Sequence, residues 1–149
     1  AVGQALLEVL GEDVYPDQLP FKKYIEAVIT NSQALEKGLV DSGLDVVAPT
    51  QTHLSLVKLP ESTDSLELQT KLEKVNIITN RNAVPKDSKS PWRPGGLRVG
   101  MAALTSRGIV SEQAEELGNI IAKIIINKET GSKTKDLVQK SVSELNWWY

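Results

Sequence analysis

The sequence predicts an α+β fold, a small, mostly antiparallel sheet covered by helices, and three observations predict it. Segments with apolar residues at helical spacing lie towards both ends of the chain. Short apolar or alternating runs suited to strands lie between them. The order is helix, helix, strand, strand, helix, strand, strand, helix, helix, which is not the regular alternation of a parallel-sheet fold. With 149 residues, 40% apolar and 24% charged, the chain suffices for one domain with a modest core.

Residues 1–10 (AVGQALLEVL) favour a helix that begins without a cap, in the middle of an apolar pattern, and Gly11 closes it. This beginning suggests a natural chain that starts earlier, with residues 1–16 as the tail of a connecting helix. Residues 17–20 open the next helix, in which Phe21, Tyr24, Ile25, Val28, Ile29, Leu35 and Leu39 recur at helical spacing. Gly43 supplies its left-handed stop. Residues 44–48 then read as a strand ended by Pro49, and residues 53–59 (HLSLVKL) as a second strand followed by a turn at Pro60, Glu61 and Ser62. Asp64, with Glu67 three residues later, forms an N-terminal cap and box for a helix that buries Leu68, Leu72 and Val75. Residues 77–79 read as a strand.

Residues 80–108 (NRNAVPKDSKSPWRPGGLRVGMAALTSRG) form the segment around which the rest is organised. Pro85, Pro91 and Pro94 fix φ and remove backbone donors, while Gly95 and Gly96 permit unusual conformations, so the segment reads as a shaped loop, neither helix nor long strand. Leu97, Val99 and Met101 alternate with Arg98 and Gly100, a short strand that carries one guanidinium into or beside a cleft. A guanidinium matches a carboxylate or phosphate bidentately, and flanking glycines let such an anion approach the backbone. Spacing alone leaves two other places for Arg98, an internal ion pair or solvent. Arg81, Lys86, Lys89, Arg93 and Arg98 face only Asp87 up to Arg98, a local positive excess that suits either a solvated loop or the mouth of a site for a polyanion.

Downstream, Ser111 caps a helix whose Ala114, Leu117, Ile120, Ile121, Ile124 and Ile125 line one face, with Asn127 near its end. Thr134 starts a last helix with Leu137, Val138, Ser141 and Leu145 on one side. Trp147, Trp148 and Tyr149 then dock on a neighbour or on their own domain.

Composition excludes several classes. No apolar run reaches the roughly 20 residues that cross a bilayer, and no signal-peptide pattern is present. The 17 basic and 19 acidic residues give a net charge of −2, without the positive field of a nucleic-acid binder. The chain has no cysteine, hence no disulfide or thiolate metal site, and a reducing cytoplasm is the default location. His53 is the one histidine, without a second ligand at metal spacing, and no metal site is expected.

The central segment resembles the region near the C-terminal end of the serine hydroxymethyltransferases, where the pattern runs roughly N-K-N-x-x-P-x-D, then S-P, then G-[LI]-R-[IVL]-G-x-x-A-x-T-x-R-G. Here it is carried by Asn80, Arg81, Asn82, Pro85, Asp87, Ser90 and Pro91, then Gly96-Leu97-Arg98-Val99-Gly100, then Ala103, Thr105, Arg107 and Gly108. So many matches in order are far more specific than a lone glycine motif. Residues 29–59 resemble the helix and strands that precede that loop in the family, which has a histidine at the place matching His53; the resemblance implies a hydrogen-bonded structural role for it. The chain departs from the pattern at Gln51-Thr52 in place of Asp-Asn, at Lys58, at Arg81, and at Met101-Ala102 in place of Thr-Pro.

The resemblance implies that residues 1–149 are the single small C-terminal domain of a larger fold-type-I pyridoxal 5'-phosphate enzyme, closing the active site over an upstream catalytic domain. By that likeness Arg98 binds the carboxylate of the amino-acid substrate and Asn82 contacts the pterin of tetrahydrofolate. The family interconverts serine and glycine, passing the one-carbon unit to tetrahydrofolate, as a homo-oligomer (dimer or tetramer) in the cytoplasm. Its cofactor lysine, ring-stacking histidine and phosphate contacts lie upstream of this region. No lysine here sits in a matching motif, so no catalytic residue is assigned and the isolated chain is expected to be inactive. Two other classes stay open: a related aldolase or transaldolase acting on β-hydroxy amino acids, with Met101 and Thr52 as its sequence features, and a non-catalytic module that retains the fold.

Overall fold

In the computed structural model, which describes residues 9–10, 20–127, 132–143 and 145, helix α1 spans Phe21–Asp41. Val28, Leu35 and Leu39 are buried at helical spacing, as the sequence predicts, whereas Ile25, expected on the same face, is exposed. The helix ends in a Schellman arrangement. Gly43 takes a φ of +94°, its N–H donates to Val40 O at 2.9 Å, and Leu44 N–H reaches back to Leu39 O at 3.1 Å. The expected helix over residues 1–10, the opening of α1 by residues 17–19 and the terminal aromatic trio lie largely or wholly outside the described residues.

The sheet follows. Strands β1 (Asp45–Val46), β2 (Leu54–Lys58), β3 (Asn80–Asn82) and β4 (Gly96–Gly100) stand in the order β1-β2-β4-β3, every neighbouring pair antiparallel. β1 is shorter than the predicted run of residues 44–48, since only Asp45 and Val46 find partners on β2. Helix α2, Ser65–Lys74, begins as predicted at Asp64, whose Oδ1 accepts from Leu66 N–H at 2.9 Å and Glu67 N–H at 3.1 Å. The box does not form with it, because the Glu67 carboxylate turns to Lys71, 3.8 Å away one helical turn on.

The expected strand at residues 77–79 is displaced to β3. Asn76, at φ +65°, ends α2 in the same way that Gly43 ends α1. Its N–H bonds Glu73 O, and Ile77 N–H bonds Leu72 O at 2.9 Å. That second motif consumes the first residues of the predicted strand and leaves Ile78 exposed, so pairing with β4 begins only at Asn80. The signal was an asparagine at a left-handed position, which spacing of apolar residues does not reveal.

Beyond β4 a short helix α3, Ala102–Thr105, interrupts what the sequence presents as loop. Helix α4, Ser111–Asn127, carries the predicted apolar face, with Ala114, Leu117, Ile120, Ile121, Ile124 and Ile125 buried. Its cap differs from expectation. Ser111 is the first helical residue, and Gln113 Oε1 reaches back to accept from Val110 N–H at 3.1 Å, the reciprocal half of a capping box. Helix α5, Ser132–Ser143, starts two residues before Thr134, and it buries Val138 while Leu137, expected beside it, is exposed.

Helices α1 and α4 cross at Gly38 and Gly118. A Cβ on Gly118 would stand 2.2 Å from Leu35 O and one on Gly38 2.2 Å from Glu115 O, so only glycine admits this approach of the two backbones. The core lies between this pair and one face of the sheet, where Val57, Leu97 and Val99 meet Leu35, Leu39, Leu117 and Ile121. Five helices and a four-stranded antiparallel sheet among the described residues make the α+β arrangement predicted from the sequence.

Candidate functional site

Alternation along β4 decides where Arg98 goes. Leu97 and Val99 turn inward, 0% and 5% exposed, so Arg98 between them must stand on the opposite face, and it is exposed. Its cross-strand neighbours are Leu56 on β2 and Asn80 on β3. Asn82, two residues beyond Asn80, shares that face and pairs with Gly96, so Asn82 and Arg98 are diagonal neighbours, about 7–8 Å apart at the backbone. Leu54 and Leu56, both half-buried, complete the surface beside the guanidinium. The two residues singled out from the sequence are thus brought together on one face of two adjacent strands.

Of the three places left open for Arg98, an internal ion pair is not the one adopted: among the described residues its guanidinium has no hydrogen-bond or ionic partner. The remaining basic residues of the loop are mostly used by the fold. Arg81 points to the helix side, donating from Nε to Gln69 Oε1 at 2.7 Å and from Nη1 to Trp92 O at 2.7 Å. Lys89 Nζ donates to Thr63 O and Pro60 O at 3.1 and 3.4 Å, and Arg93 pairs with Asp64. The positive excess is therefore largely a set of fasteners between the loop and the start of α2.

The glycines flanking Arg98 have a reason other than ligand access. The place of a Cβ on Gly96 lies 2.7 Å from Asn82 O and 2.7 Å from a Val84 methyl, and that on Gly100 lies 3.2 Å from His53 O. The neighbouring strands themselves fill the space the glycines leave. Among the described residues, His53 is also not the hydrogen-bonded structural histidine expected. It is exposed, and its backbone carbonyl, accepting from Met101 N–H at 3.0 Å, makes the structural contact.

The loop between β3 and β4 is gathered around Asp87. Its Oδ2 accepts from Gly95 N–H at 2.7 Å and Val84 N–H at 3.3 Å, and its Oδ1 from Lys89 N–H at 2.9 Å. The Gly95 and Lys89 bonds hold the carboxyl below its ordinary value of 3.8. The carboxyl of Asp64 is likewise lowered, chiefly by the Glu67 N–H and further by Arg93.

A second buried polar cluster escaped the sequence. Glu36, 8% exposed, accepts from Thr50 N–H at 3.0 Å and from Ser55 Oγ at 2.6 Å, while Thr50 Oγ1 donates to Leu54 O at 2.6 Å. This pins the β1–β2 loop to α1. A glutamate in a helix ordinarily reads as surface, and only the threonine of the following loop and the serine of β2 could have signalled otherwise.

A cavity of about 330 Å³ lies on the helix side, walled by Ile77, Val99, Met101, Leu104, Val138 and Val142, and neither Arg98 nor Asn82 reaches it. Met101 is 1% exposed within the core, so this departure from the family pattern does not alter the face that carries Arg98. Among the described residues no group of three or more histidine, cysteine, aspartate or glutamate side chains converges on a metal position, and no helix is long and apolar enough to cross a membrane. Lys37 is held above its ordinary basicity by Glu115 and Asp41, Lys71 pairs with Glu67, and Lys89 is spent on backbone carbonyls.

Comparison with known proteins agrees with the motif. The family profile described as serine hydroxymethyltransferase matches residues 9–121. A serine hydroxymethyltransferase of Anaplasma phagocytophilum (strain HZ) is 35% identical over 95% of this chain and 35% of its own length. That of Ehrlichia canis (strain Jake) is 37% identical over 90% of this chain and 31% of its own. Serine hydroxymethyltransferase 2 of Rhodospirillum rubrum is 36% identical over 91% and 32%. The chain spans about a third of the length of the curated relatives it matches. By its central motif and by this similarity, the chain belongs to the serine hydroxymethyltransferase family.

Proposed function

We propose that the chain is the small C-terminal domain of a pyridoxal-phosphate-dependent serine hydroxymethyltransferase, which interconverts serine and glycine with tetrahydrofolate as the one-carbon carrier. In this reading Arg98 holds the carboxylate of the amino acid and Asn82 forms part of the folate site. The observation that carries it is the guanidinium of Arg98, without a partner among the described residues, on the exposed face of a central strand beside the strand of Asn82. An arginine with no acidic partner among the described residues is suited to bidentate carboxylate binding, and Leu54 and Leu56 beside it limit the water that competes for the fork.

An open face is only half a site. In this proposal the part of the protein outside this chain supplies the opposite wall and holds the cofactor, which serves there as an electron sink. The contribution of this domain is to orient the substrate: an amino acid gripped by its carboxylate presents a defined bond at Cα to the reacting centre. The same reading places the holoenzyme in the cytoplasm as a dimer or tetramer and leaves this chain inactive when isolated.

The test is Arg98→Lys in the assembled holoenzyme. Lysine keeps the charge but loses the fork, and losing one charge-assisted hydrogen bond of about 1.5–3 kcal/mol raises the KM for serine about 10- to 150-fold. Cofactor content and fold are retained. Asn82→Ala raises the KM for tetrahydrofolate with a smaller effect on serine. Unchanged serine kinetics in Arg98→Lys would remove the carboxylate role, and serine turnover without folate dependence would favour an aldolase.

A further inference from the structure

Resting on the reading above, we infer that Asp87 is a positioning residue that closes the loop between β3 and β4 at its neck and thereby sets the separation of Asn82 and Arg98. Asn82 is the last residue of β3, and Gly96, its partner, is the first of β4. The chain leaves one strand and re-enters the other through residues 83–95. Within that excursion the Asp87 carboxylate joins the two ends: Val84 N–H lies two residues after Asn82, and Gly95 N–H immediately precedes Gly96. Three backbone donors on one carboxylate make a charge-assisted clamp, stronger and more directional than neutral turn contacts.

Gly95 shows that the seat is fitted to this side chain. A Cβ there would stand 3.0 Å from Asp87 Oδ1 and 3.3 Å from Oδ2, so the absence of a side chain at Gly95 is what lets the carboxylate rest against the backbone. On the far side of the neck, a Cβ on Gly96 would stand 2.7 Å from Asn82 O and from a Val84 methyl, so the backbone of Gly96 lies close against both. A displacement of Asp87 is therefore passed through Gly95 and Gly96 to the strand of Arg98, and through Val84 to that of Asn82. The outer part of the loop is tied separately, by Arg93 to Asp64 and by Lys89 to the segment before α2. Losing the clamp should loosen the neck while the loop as a whole stays attached.

The experiment uses the assembled holoenzyme with three variants, Asp87→Ala, Asp87→Asn and Gly95→Ala. Asp87→Ala removes all three acceptors. Asp87→Asn keeps one carbonyl oxygen for Gly95 and Val84 but turns an amide N–H₂ towards Lys89. Gly95→Ala brings a Cβ to 3.0 Å from Oδ1, so the intact carboxylate must give by a few tenths of an ångström from the other side. Asp87→Ala is expected to raise the KM for serine and for tetrahydrofolate together, about ten-fold each, with a smaller change in kcat, and Gly95→Ala to raise both by a smaller factor. Asp87→Asn should fall between Asp87→Ala and the unmodified enzyme, a partial rescue. A role in stability alone would lower the melting temperature and leave both KM values in place, and that result overturns the inference. If Asp87→Ala fails to fold or to hold cofactor, the other two variants decide the matter by the same criteria. Arg98→Lys and Asn82→Ala run alongside. If these raise their respective KM values while the Asp87 and Gly95 variants do not, only the positioning role is lost; if they too change nothing, the site reading falls and takes the positioning role with it.

Discussion

Replacing Gly118 by alanine places a Cβ 2.2 Å from Leu35 O and 3.1 Å from both Gly38 Cα and Leu39 N. Ordinary van der Waals contact begins at 3.4 Å. Helices α1 and α4 must therefore move apart by about 1.2 Å at their crossing, because the obstructing atoms are backbone and have no rotamer to escape to. Overpacking of this kind costs about 3 kcal/mol, and the better helix propensity of alanine offsets about 1 kcal/mol of it. The net loss of about 2 kcal/mol corresponds to a fall of about 4–8 °C in the melting temperature for a chain of this size. Thermal unfolding of the 149-residue chain, followed by circular dichroism, measures it directly. Gly38→Ala should behave alike, and the double variant should lose less than the two single losses added, since one separation of the helices relieves both clashes. A Gly118→Ala chain as stable as the unmodified one would refute the close crossing.

Three further outcomes follow from the polar contacts. The carboxyls of Asp87 and Asp64 are held below 3.8 by backbone N–H groups, so the unfolded chain takes up protons first as the pH falls; the stabilisation is complete above about pH 5 and is lost as the pH drops through the folded values. Melting temperatures measured down to about pH 2 should show an acid slope that Asp87→Asn with Asp64→Asn flattens. Glu36→Ala leaves the buried Ser55 hydroxyl and Thr50 N–H without their acceptor and should destabilise the chain by about 1–3 kcal/mol in urea titration, whereas Glu36→Gln, which can keep both contacts, loses less. Trp92→Ala should change stability by no more than about 0.5 kcal/mol, because the indole is 84% exposed; a larger loss would mean that it packs within this domain.

Much of the fold was readable in the residues because local rules and tertiary packing agree there. The apolar stripes of α1 from Val28 onward and of α4, the Asp64 cap, the Gly43 stop and the alternation of Leu97, Arg98 and Val99 are each local, and each is found where spacing puts it. Where the reading slipped, the deciding contact was remote or chemically quiet. Residues 77–79 look like a strand, but Asn76 sends the chain back over α2 before it can pair. Leu137 satisfies the helical period of α5, yet the neighbouring element meets Val138 instead.

Among the site residues, the sequence by itself determined which ones to consider, because the motif around Asn82, Asp87 and Arg98 depends on the order of side chains along the chain. It also determined that Arg98 must oppose Leu97 and Val99, since side chains alternate along any strand. Only the tertiary structure decided the rest. Antiparallel register, not proximity in sequence, sets Asn82 and Arg98 on one face. The acceptors that take up Arg81, Lys89 and Arg93 come from Gln69, Trp92, Pro60, Thr63 and Asp64, most of them far along the chain, and so leave Arg98 the free guanidinium of that face among the described residues. A residue's chemistry is local, whereas whether its charge is already neutralised depends on what the fold brings beside it.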